Sequence, residues 1–168
     1  FLVCDGMGGA AAGEVASGLA ADAFLQNMDN CWKERFDGVD FKARLLEAYT
    51  QANEVVYDAS RANPDYAGMG TTMVAAICGD GQVLVGNVGD SRAYRVNADG
   101  IWQMTRDHSL VQMMVERGEL TQEMARTYPG KNFITRAIGT EPFVECDVSN
   151  LELSKGEYLL LCSDGLVN

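Results

Sequence analysis

The sequence predicts an α+β protein built on antiparallel sheets. Two long helical stretches precede a series of short apolar strands. The turns between these strands hold only a few residues, whereas a parallel connection needs a dozen or more. A helical, turn-rich segment then separates these strands from the last two. Helices placed before and between runs of antiparallel strands are typical of layered α+β domains.

The first part of the chain is predicted to be mainly helical. A strand over 1–4 leads into a glycine-rich loop over 5–13, and a helix is expected over 14–28. A second helix is predicted over 40–62 and ends at Asn63-Pro64-Asp65, because proline disfavours helical geometry in the residue before it. Apolar residues recur in this second helix at steps of three and four: Phe41, Leu45, Tyr49, Ala52, Val56 and Ala59.

The middle of the chain is predicted to form a run of strands. Apolar and β-branched residues cluster between glycine-containing turns, as expected for consecutive hairpins. We expect turns at Gly79-Asp80-Gly81 and at Asp99-Gly100. The predicted strands are 71–78, 82–88, 91–97 and 101–105.

The remaining segment is predicted to contain two short helices and two strands. Asp107 is expected to cap a helix over 108–117, and Thr121 a shorter one. A turn-rich stretch follows to about residue 145, and strands are expected over 147–153 and 157–163. The last strand is apolar on both of its faces, which suits a sheet covered on both sides.

Composition limits the possible functions. The chain has 168 residues, of which 47% are hydrophobic, enough for one domain with a core. It carries 24 acidic and 13 basic residues, for a net charge of -11, so nucleic acid is not an expected partner. No apolar run approaches the roughly 18 residues of a membrane span. The chain starts without Met and in mid-strand, so we expect a fragment cut at both ends.

Cysteine and histidine usage points to a cytoplasmic protein without zinc. Five cysteines at irregular spacings favour reduced, buried thiols over disulfides. The single histidine, His108, and the lack of a Cys-x-x-Cys pair argue against zinc, and also against a Ser-His-Asp triad unless His108 serves it. We expect His108 to be a solvated residue in the first turn of its helix, or a partner of the cap. Arg92 is expected to form a structural ion pair.

Three apolar strands each end in an acidic residue beside a glycine. Asp5 and Asp164 are followed by glycine, and Asp90 is preceded by one. If the strand ends gather at one edge of the layers, three carboxylates share a cleft and repel one another unless cations bind there. Oxygen ligands without His or Cys select hard ions, Mg²⁺ or Mn²⁺. Two such ions can share a carboxylate and activate a bridging water.

These residues also allow two other interpretations. The loop from Gly6 fits loosely the glycine pattern of dinucleotide-binding folds. However, a second helix follows it in place of a parallel strand, and Asp5 would lie beside the pyrophosphate. The aspartates could also be simple turn caps in a purely structural sandwich.

Six motifs occur in order along the whole chain, and together they resemble the bacterial branch of the metal-dependent protein phosphatases of type 2C. They are Asp5-Gly6-Met7-Gly8-Gly9 with Gly13-Glu14-Val15-Ala16-Ser17, Gly68-Met69-Gly70-Thr71-Thr72, Val88-Gly89-Asp90-Ser91-Arg92-Ala93-Tyr94, Asp107-His108-Ser109-Leu110-Val111, Thr135-Arg136-Ala137-Ile138-Gly139, and Leu160-Leu161-Cys162-Ser163-Asp164-Gly165-Leu166.

The resemblance implies a fold and a metal centre. The fold would be a four-layer α-β-β-α sandwich of two antiparallel sheets flanked by helix pairs. Residues 1–168 would form a single catalytic domain, truncated at both ends, in which 107–145 form a flap-like subdomain. Two Mn²⁺ or Mg²⁺ ions would be bridged by Asp5, with the Gly6 carbonyl on one ion and Asp164 on the other. Asp90, together with Asp164, would hold a third and weaker ion.

The implied activity is hydrolysis of phosphoserine and phosphothreonine in proteins by a metal-bridging water, with Asp5 and Asp164 catalytic through that water. No substrate-binding residue is assigned. The family's further ligands would lie outside the chain, so we expect the fragment alone to be inactive. The histidines found at the Met7 or Ala10 positions in relatives are absent, which leaves open an inactive regulatory or binding domain. The implied partners of this monomer are phosphoproteins targeted by a serine/threonine kinase, including the kinase itself.

Overall fold

A computed structural model describes residues 1–33, 40–79 and 82–166. Nine strands and four α-helices lie in these ranges. The strands are β1 (Leu2–Val3), β2 (Gly6–Met7), β3 (Gly70–Thr71), β4 (Met73–Gly79), β5 (Gln82–Val88), β6 (Arg92–Asn97), β7 (Gly100–Gln103), β8 (Asp147–Glu152) and β9 (Tyr158–Cys162). The helices are α1 (Ala10–Lys33), α2 (Phe41–Ala62), α3 (Leu110–Glu116) and α4 (Gln122–Thr127).

The strands form two main antiparallel sheets. The first sheet has the order β1-β4-β5-β8 and the second has the order β7-β6-β9. A separate short ladder joins β2 to β3. Every strand pair in the described part of the chain is antiparallel, as the short turns predict. The β4-β5 connection, predicted at Gly79-Asp80-Gly81, falls partly outside the described residues.

The helix pair α1 and α2 packs on one face of the first sheet. Helix α2 begins after Asp40, whose carboxylate accepts the backbone N–H groups of Lys42 and Ala43 at 3.0 and 3.1 Å. Its apolar stripe reaches Tyr49, which is fully buried and donates its hydroxyl to the carbonyl of Met73 at 3.3 Å. Because this stripe has the helical period, one face of α2 supplies much of the first hydrophobic core, which lies between the two helices and the first sheet.

A second core lies between the two sheets. Alternate residues of β4, β5 and β6 meet there and pack against Leu159 and Leu161 of β9. The α+β sandwich is confirmed, and the described residues supply a helix layer and two sheet layers. Tyr158, at the start of β9, is 70% exposed.

Helix α1 differs most from its prediction. It begins at Ala10 and not at residue 14, and it continues to Lys33. The glycine-rich segment was expected to be a loop throughout, but Gly6 belongs to β2 and Gly13 lies inside α1. A Cβ atom on Gly6 would lie 1.9 Å from the Gly13 carbonyl oxygen. These glycines therefore allow the helix backbone to pack directly against the strand.

Among the described helices, none is long and apolar enough to cross a lipid bilayer.

Candidate metal centre and substrate cleft

Asp5 follows β1 and is fixed by its backbone. Its N–H donates to Thr72 Oγ1 at 3.1 Å, and its carbonyl accepts the Thr72 N–H at 2.9 Å. Thr72 is fully buried between β3 and β4, so both backbone groups of Asp5 are tied to the interior. The carboxylate itself remains partly exposed. The aspartate is thus held at a defined place while its side chain stays partly open to solvent.

Asp90 follows β5 in a turn that is held from two sides. The Gly89 N–H donates to His108 Nδ1 at 3.0 Å, and the Gly89 carbonyl accepts the His108 N–H at 2.9 Å. On the other side, the buried hydroxyls of Ser91 and Thr72 are 2.6 Å apart. Gly89 has φ near +105°, and a Cβ there would lie 2.7 Å from Thr72 Cβ, so glycine is required. Thr72 therefore connects the turns that carry Asp5 and Asp90.

Asp164 follows β9 and begins a short 3-10 turn, Asp164–Leu166. The β6-β9 register pairs Arg92 with Cys162, so Asp164 follows β9 on the side where β6 begins after Asp90. Its carboxyl group lies within hydrogen-bonding reach of Asp5. The structure thus brings Asp5 and Asp164 together from opposite ends of the chain.

The pKa values of two of these aspartates are raised. Burial raises the pKa of Asp5, and the charge of Asp164 and a hydrogen bond with it raise it further. Burial also raises the pKa of Asp90 to about 6, and the charges of Asp164, Asp107 and Asp5 add to this shift. The three carboxylates therefore share one electrostatic environment that favours a cation.

The donor set suits a hard divalent ion, because all of its ligand atoms are oxygens. Within the described ranges, no group of three His, Cys, Asp or Glu side chains is close enough to hold an ion by itself. The assignment of Asp5, Gly6, Asp90 and Asp164 as metal ligands accordingly stays a prediction.

Arg92 is held by partners in the protein through all three of its side-chain nitrogens. Its Nε lies 2.9 and 3.0 Å from the two carboxylate oxygens of Asp107, and its Nη2 lies 2.6 Å from one of them. Its Nη1 donates to the hydroxyl of Tyr94 at 3.0 Å. Arg92 thus forms a structural ion pair, as the sequence predicts. The expected capping role of Asp107 is wrong, because its carboxylate pairs with Arg92, while Ser109 caps α3 through the Gln112 N–H at 3.3 Å.

His108 is not the solvated helix residue that the sequence suggested. It is only 4% exposed and precedes the helix. Since Nδ1 accepts the Gly89 N–H, the ring proton of neutral His108 lies on Nε2, 3.1 Å from Asp147 Oδ2. Burial lowers the pKa of His108, the charge of Arg136 lowers it further, and Asp147 opposes this shift. Sequence spacing gave no sign of the hydrogen bond between Gly89 and His108, because these two residues are 19 positions apart.

The segment 107–145 is anchored to the body of the protein at its base. The Thr135 N–H donates to the His108 carbonyl at 2.8 Å, and Ile138 exchanges two backbone hydrogen bonds with Thr71 at 3.0 and 2.8 Å. Asn53 is buried in α2, where it accepts the Gly139 N–H at 2.8 Å and donates to the Glu141 carbonyl at 3.0 Å. Sequence reasoning missed Asn53, although a polar residue on an apolar helix face was the available signal.

A cavity of about 700 Å³ separates Asp90 and Asp164 from helices α3 and α4. Asp90 and Asp164 line it on the side of the sheets, and Arg126 and Lys131 line it on the side of segment 107–145. The cavity is therefore a cleft with walls of opposite charge.

Residues 1–168 match the family model described as protein phosphatase 2C. The chain belongs to the protein phosphatase 2C family. It is 39% identical to the serine/threonine phosphatase stp of Listeria innocua over 170 residues, which cover 99% of this chain and 66% of that protein. It is 37% identical to the serine/threonine protein phosphatase PstP of Mycobacterium tuberculosis, covering 99% of this chain and 31% of that protein.

Solved structures of phosphatases in the same family have the same fold. The crystal structure of the M. tuberculosis phosphatase PstP/Ppp superposes with a TM-score of 0.88 at 36% identity, covering 99% of this chain and 68% of that one. A PstP catalytic domain in complex with two manganese ions gives a TM-score of 0.84 at 35% identity, covering 99% and 67%. The chain thus spans about two thirds of the length of these phosphatases.

Proposed function

We propose that the protein is a metal-dependent serine/threonine protein phosphatase. The observation that carries this proposal is that Asp90 and Asp164 line one wall of the cleft and that Asp5 lies beside Asp164. Membership in the protein phosphatase 2C family supports it, as does the PstP structure with two manganese ions. The substrates would be proteins phosphorylated on serine or threonine by a serine/threonine kinase, including the kinase itself.

We assign the ion-binding roles by the family pattern. Asp5 would bridge two Mn²⁺ or Mg²⁺ ions, the Gly6 carbonyl and Asp164 would each bind one, and Asp90 with Asp164 would hold a third, weaker ion. Bound ions of this kind lower the pKa of an attacking water and neutralise charge on phosphoryl oxygens. The raised pKa values of Asp5 and Asp90 support the assignment, because crowded carboxylates gain most from a cation.

The residues of the chain would hold the reacting groups in place. Thr72 would keep Asp5 and Asp90 at a fixed separation through its contacts with the Asp5 backbone and the Ser91 hydroxyl. Segment 107–145 would act as a flap that shapes access to the phosphoryl group. Neither Met7 nor Ala10 can act as the general acid that a histidine supplies in relatives, so the leaving alkoxide would take its proton from a metal-bound water or from another group.

We also propose a cytoplasmic location. Four cysteines in the described part of the chain form no disulfide: Cys4, Cys78, Cys146 and Cys162. Burial raises the pKa of both Cys4 and Cys146 to about 12, so these thiols are unreactive at neutral pH. Cys78 is exposed, contrary to the expectation that the cysteines are buried. An exposed thiol that stays reduced fits a reducing compartment.

A metal titration combined with phosphopeptide hydrolysis tests the proposed activity. The full-length protein should lose activity in a chelator and regain it with Mn²⁺ or Mg²⁺. Asp5→Asn should lower kcat/KM at least about 100-fold, and calorimetry should show weaker Mn²⁺ binding. Asp65→Asn, which removes an exposed carboxylate that does not line the cleft, is the matched control. Activity that survives chelation, or an unchanged Asp5→Asn enzyme, would refute the proposal.

The same experiment separates the second candidate function, an inactive regulatory domain. The absence of histidine at Met7 and Ala10 favours that candidate. A protein of that kind would bind Mn²⁺ and phosphopeptides without releasing phosphate.

A further inference from the structure

The wall of the cleft that faces the acidic residues carries two basic side chains. Arg126 lies in the last turn of α4, and Lys131 lies in the turn that follows. Both line the same 700 Å³ cavity as Asp90 and Asp164. The strand ends and the short helices thus place opposite charges across a single cleft.

These two cations differ from the third cation in the cavity. Arg92 uses its Nε, Nη1 and Nη2 groups on Asp107 and Tyr94. Among the described residues, Arg126 and Lys131 have no side-chain hydrogen bond or ion pair. Arg92 is therefore engaged in hydrogen bonds within the protein, whereas the N–H donors of Arg126 and Lys131 remain available to a ligand.

The position of these cations matters because the chain as a whole is acidic. With a net charge of -11, its average field repels acidic peptides. The cations on the flap side of the cleft offset that field locally. Arginine can bind a carboxylate or phosphate with two parallel hydrogen bonds, and lysine acts as a point charge beside it.

We propose that Arg126 and Lys131 form a subsite for a second anionic group of the substrate. This inference rests on the proposed phosphatase function, and it names the preferred substrate class: phosphoproteins with an acidic side chain or a second phosphoryl group near the phosphorylated residue. Cavities of about 300 to 1,000 Å³ commonly hold ligands. A cleft of 700 Å³ accommodates a phosphorylated side chain together with a neighbouring anion.

Three matched phosphothreonine peptides test the subsite in the full-length, Mn²⁺-loaded protein. Their flanking residues are alanine, aspartate or phosphoserine. Arg126→Gln/Lys131→Gln should raise KM for the aspartate and phosphoserine peptides about 5-fold, because each exposed ion pair contributes little. The value of kcat, the KM of the alanine peptide and the hydrolysis of p-nitrophenyl phosphate should not change. Arg117→Gln, an exposed cation outside the cavity, should behave as the wild type.

The outcomes distinguish an acidic side chain from a second phosphoryl group as the bound anion. They also distinguish failure of the subsite proposal from failure of the phosphatase proposal. An effect on both acidic peptides identifies a general anion subsite, and an effect on the phosphoserine peptide alone identifies a second phosphoryl group. Equal losses for all three peptides, or no loss for any, would overturn the subsite. Anisotropy of the same peptides, fluorescently labelled, measures the preference without turnover. If no substrate is hydrolysed, the phosphatase proposal fails, and binding still decides whether the acidic preference depends on Arg126 and Lys131.

Discussion

The two walls of the cleft are built in different ways. The acidic wall consists of strand ends whose backbone groups are tied to buried side chains, as Thr72 ties Asp5 and His108 ties Gly89. The opposite wall consists of α3 and α4, which have 7 and 6 residues. Ala125 is the one buried residue in these two helices.

This difference separates two tasks. Groups that bind ions or stabilise a reacting centre must be held within a fraction of an ångström, and rigid strand ends achieve this. A wall that selects among peptides benefits from short elements on the surface that can adjust, since such elements have low local stability. The bonds from Asn53 and Thr71 fix the base of segment 107–145, whereas α3 is tied to the residue before this segment by the exposed ion pair of Glu116 with Arg106. We therefore expect substitutions on the acidic side to affect stability more than equivalent substitutions on α3 and α4.

The largest expected effect comes from a matched pair of methionines. Met73 of β4 is fully buried, whereas Met124 of α4 is 53% exposed. Met73→Ala should lower the free energy of unfolding by about 2 to 5 kcal/mol, because it leaves a cavity in the first core. Met124→Ala should change it by no more than about 0.5 kcal/mol. Urea unfolding of the full-length variants measures both values. Similar losses for the two variants would show that the walls do not differ in packing.

A smaller effect is expected at the hydroxyl that joins Asp5 to the turn of Asp90. Thr72→Val keeps the shape of the side chain but removes the acceptor of the Asp5 N–H. An unsatisfied buried donor costs about 1 to 3 kcal/mol. Because Asp5 is also displaced, Mn²⁺ affinity should fall about 10-fold or more. Calorimetric Mn²⁺ titration and urea unfolding measure the two effects.

Thr72→Ser is the rescue variant for this test. It restores the hydroxyl while removing only a methyl group, so Mn²⁺ affinity should return close to that of the wild type. The opposite result would be unchanged Mn²⁺ affinity in Thr72→Val, which keeps the methyl group, and weaker Mn²⁺ affinity in Thr72→Ser, which loses it. That result would show that Thr72 acts through packing and not through its hydroxyl.

Much of the acidic wall could be predicted from the sequence. Helix α2 was predicted over 40–62 and is observed over Phe41–Ala62, because its apolar stripe matches the helical period and Asp40 caps it. The strand 82–88 was predicted with both bounds as observed for β5. Strand patterns also indicated that Asp5, Asp90 and Asp164 each follow a strand, since apolar runs ending in Asp beside glycine are local signals.

Long-range contacts explain what the sequence could not predict. The early start of α1 depends on the packing of Gly13 against Gly6, and the burial of His108 depends on the turn at Gly89. In both cases a local preference was overridden by a partner from another element. The basic wall was missed for a similar reason: Arg126 and Lys131 are ordinary surface residues until the fold places them opposite Asp90 and Asp164.

The smallest expected effect is a pH dependence at the junction of the two walls. His108 holds the Gly89 turn on one side, and its carbonyl accepts the Thr135 N–H on the other. Its ring also faces Asp147, Arg136 and Arg106. Burial lowers the pKa of His108 below its ordinary value. As the pH falls below about 6.5, the unfolded chain therefore binds a proton that the folded protein resists. The contribution of His108 to the free energy of unfolding should decrease in this range, by at most about 1.4 kcal/mol per pH unit for one proton. Asp90, whose pKa is raised to about 6, acts in the opposite direction, so the His108 effect is read from a difference between two proteins that both contain Asp90.

His108→Asn removes this titration while its side-chain oxygen can still accept the Gly89 N–H. Urea unfolding of both proteins from pH 7.5 to 5.0 should show a difference in free energy that shrinks as the pH falls through about 6.5. Asp147 does not obscure this range. Hydrogen bonds from His108 and Arg136 overcome burial and lower its pKa, so its contribution is lost only in more acidic solution. A difference that stays constant from pH 7.5 to 5.0 would mean that His108 titrates alike in both states. The junction between the walls would then be insensitive to protons.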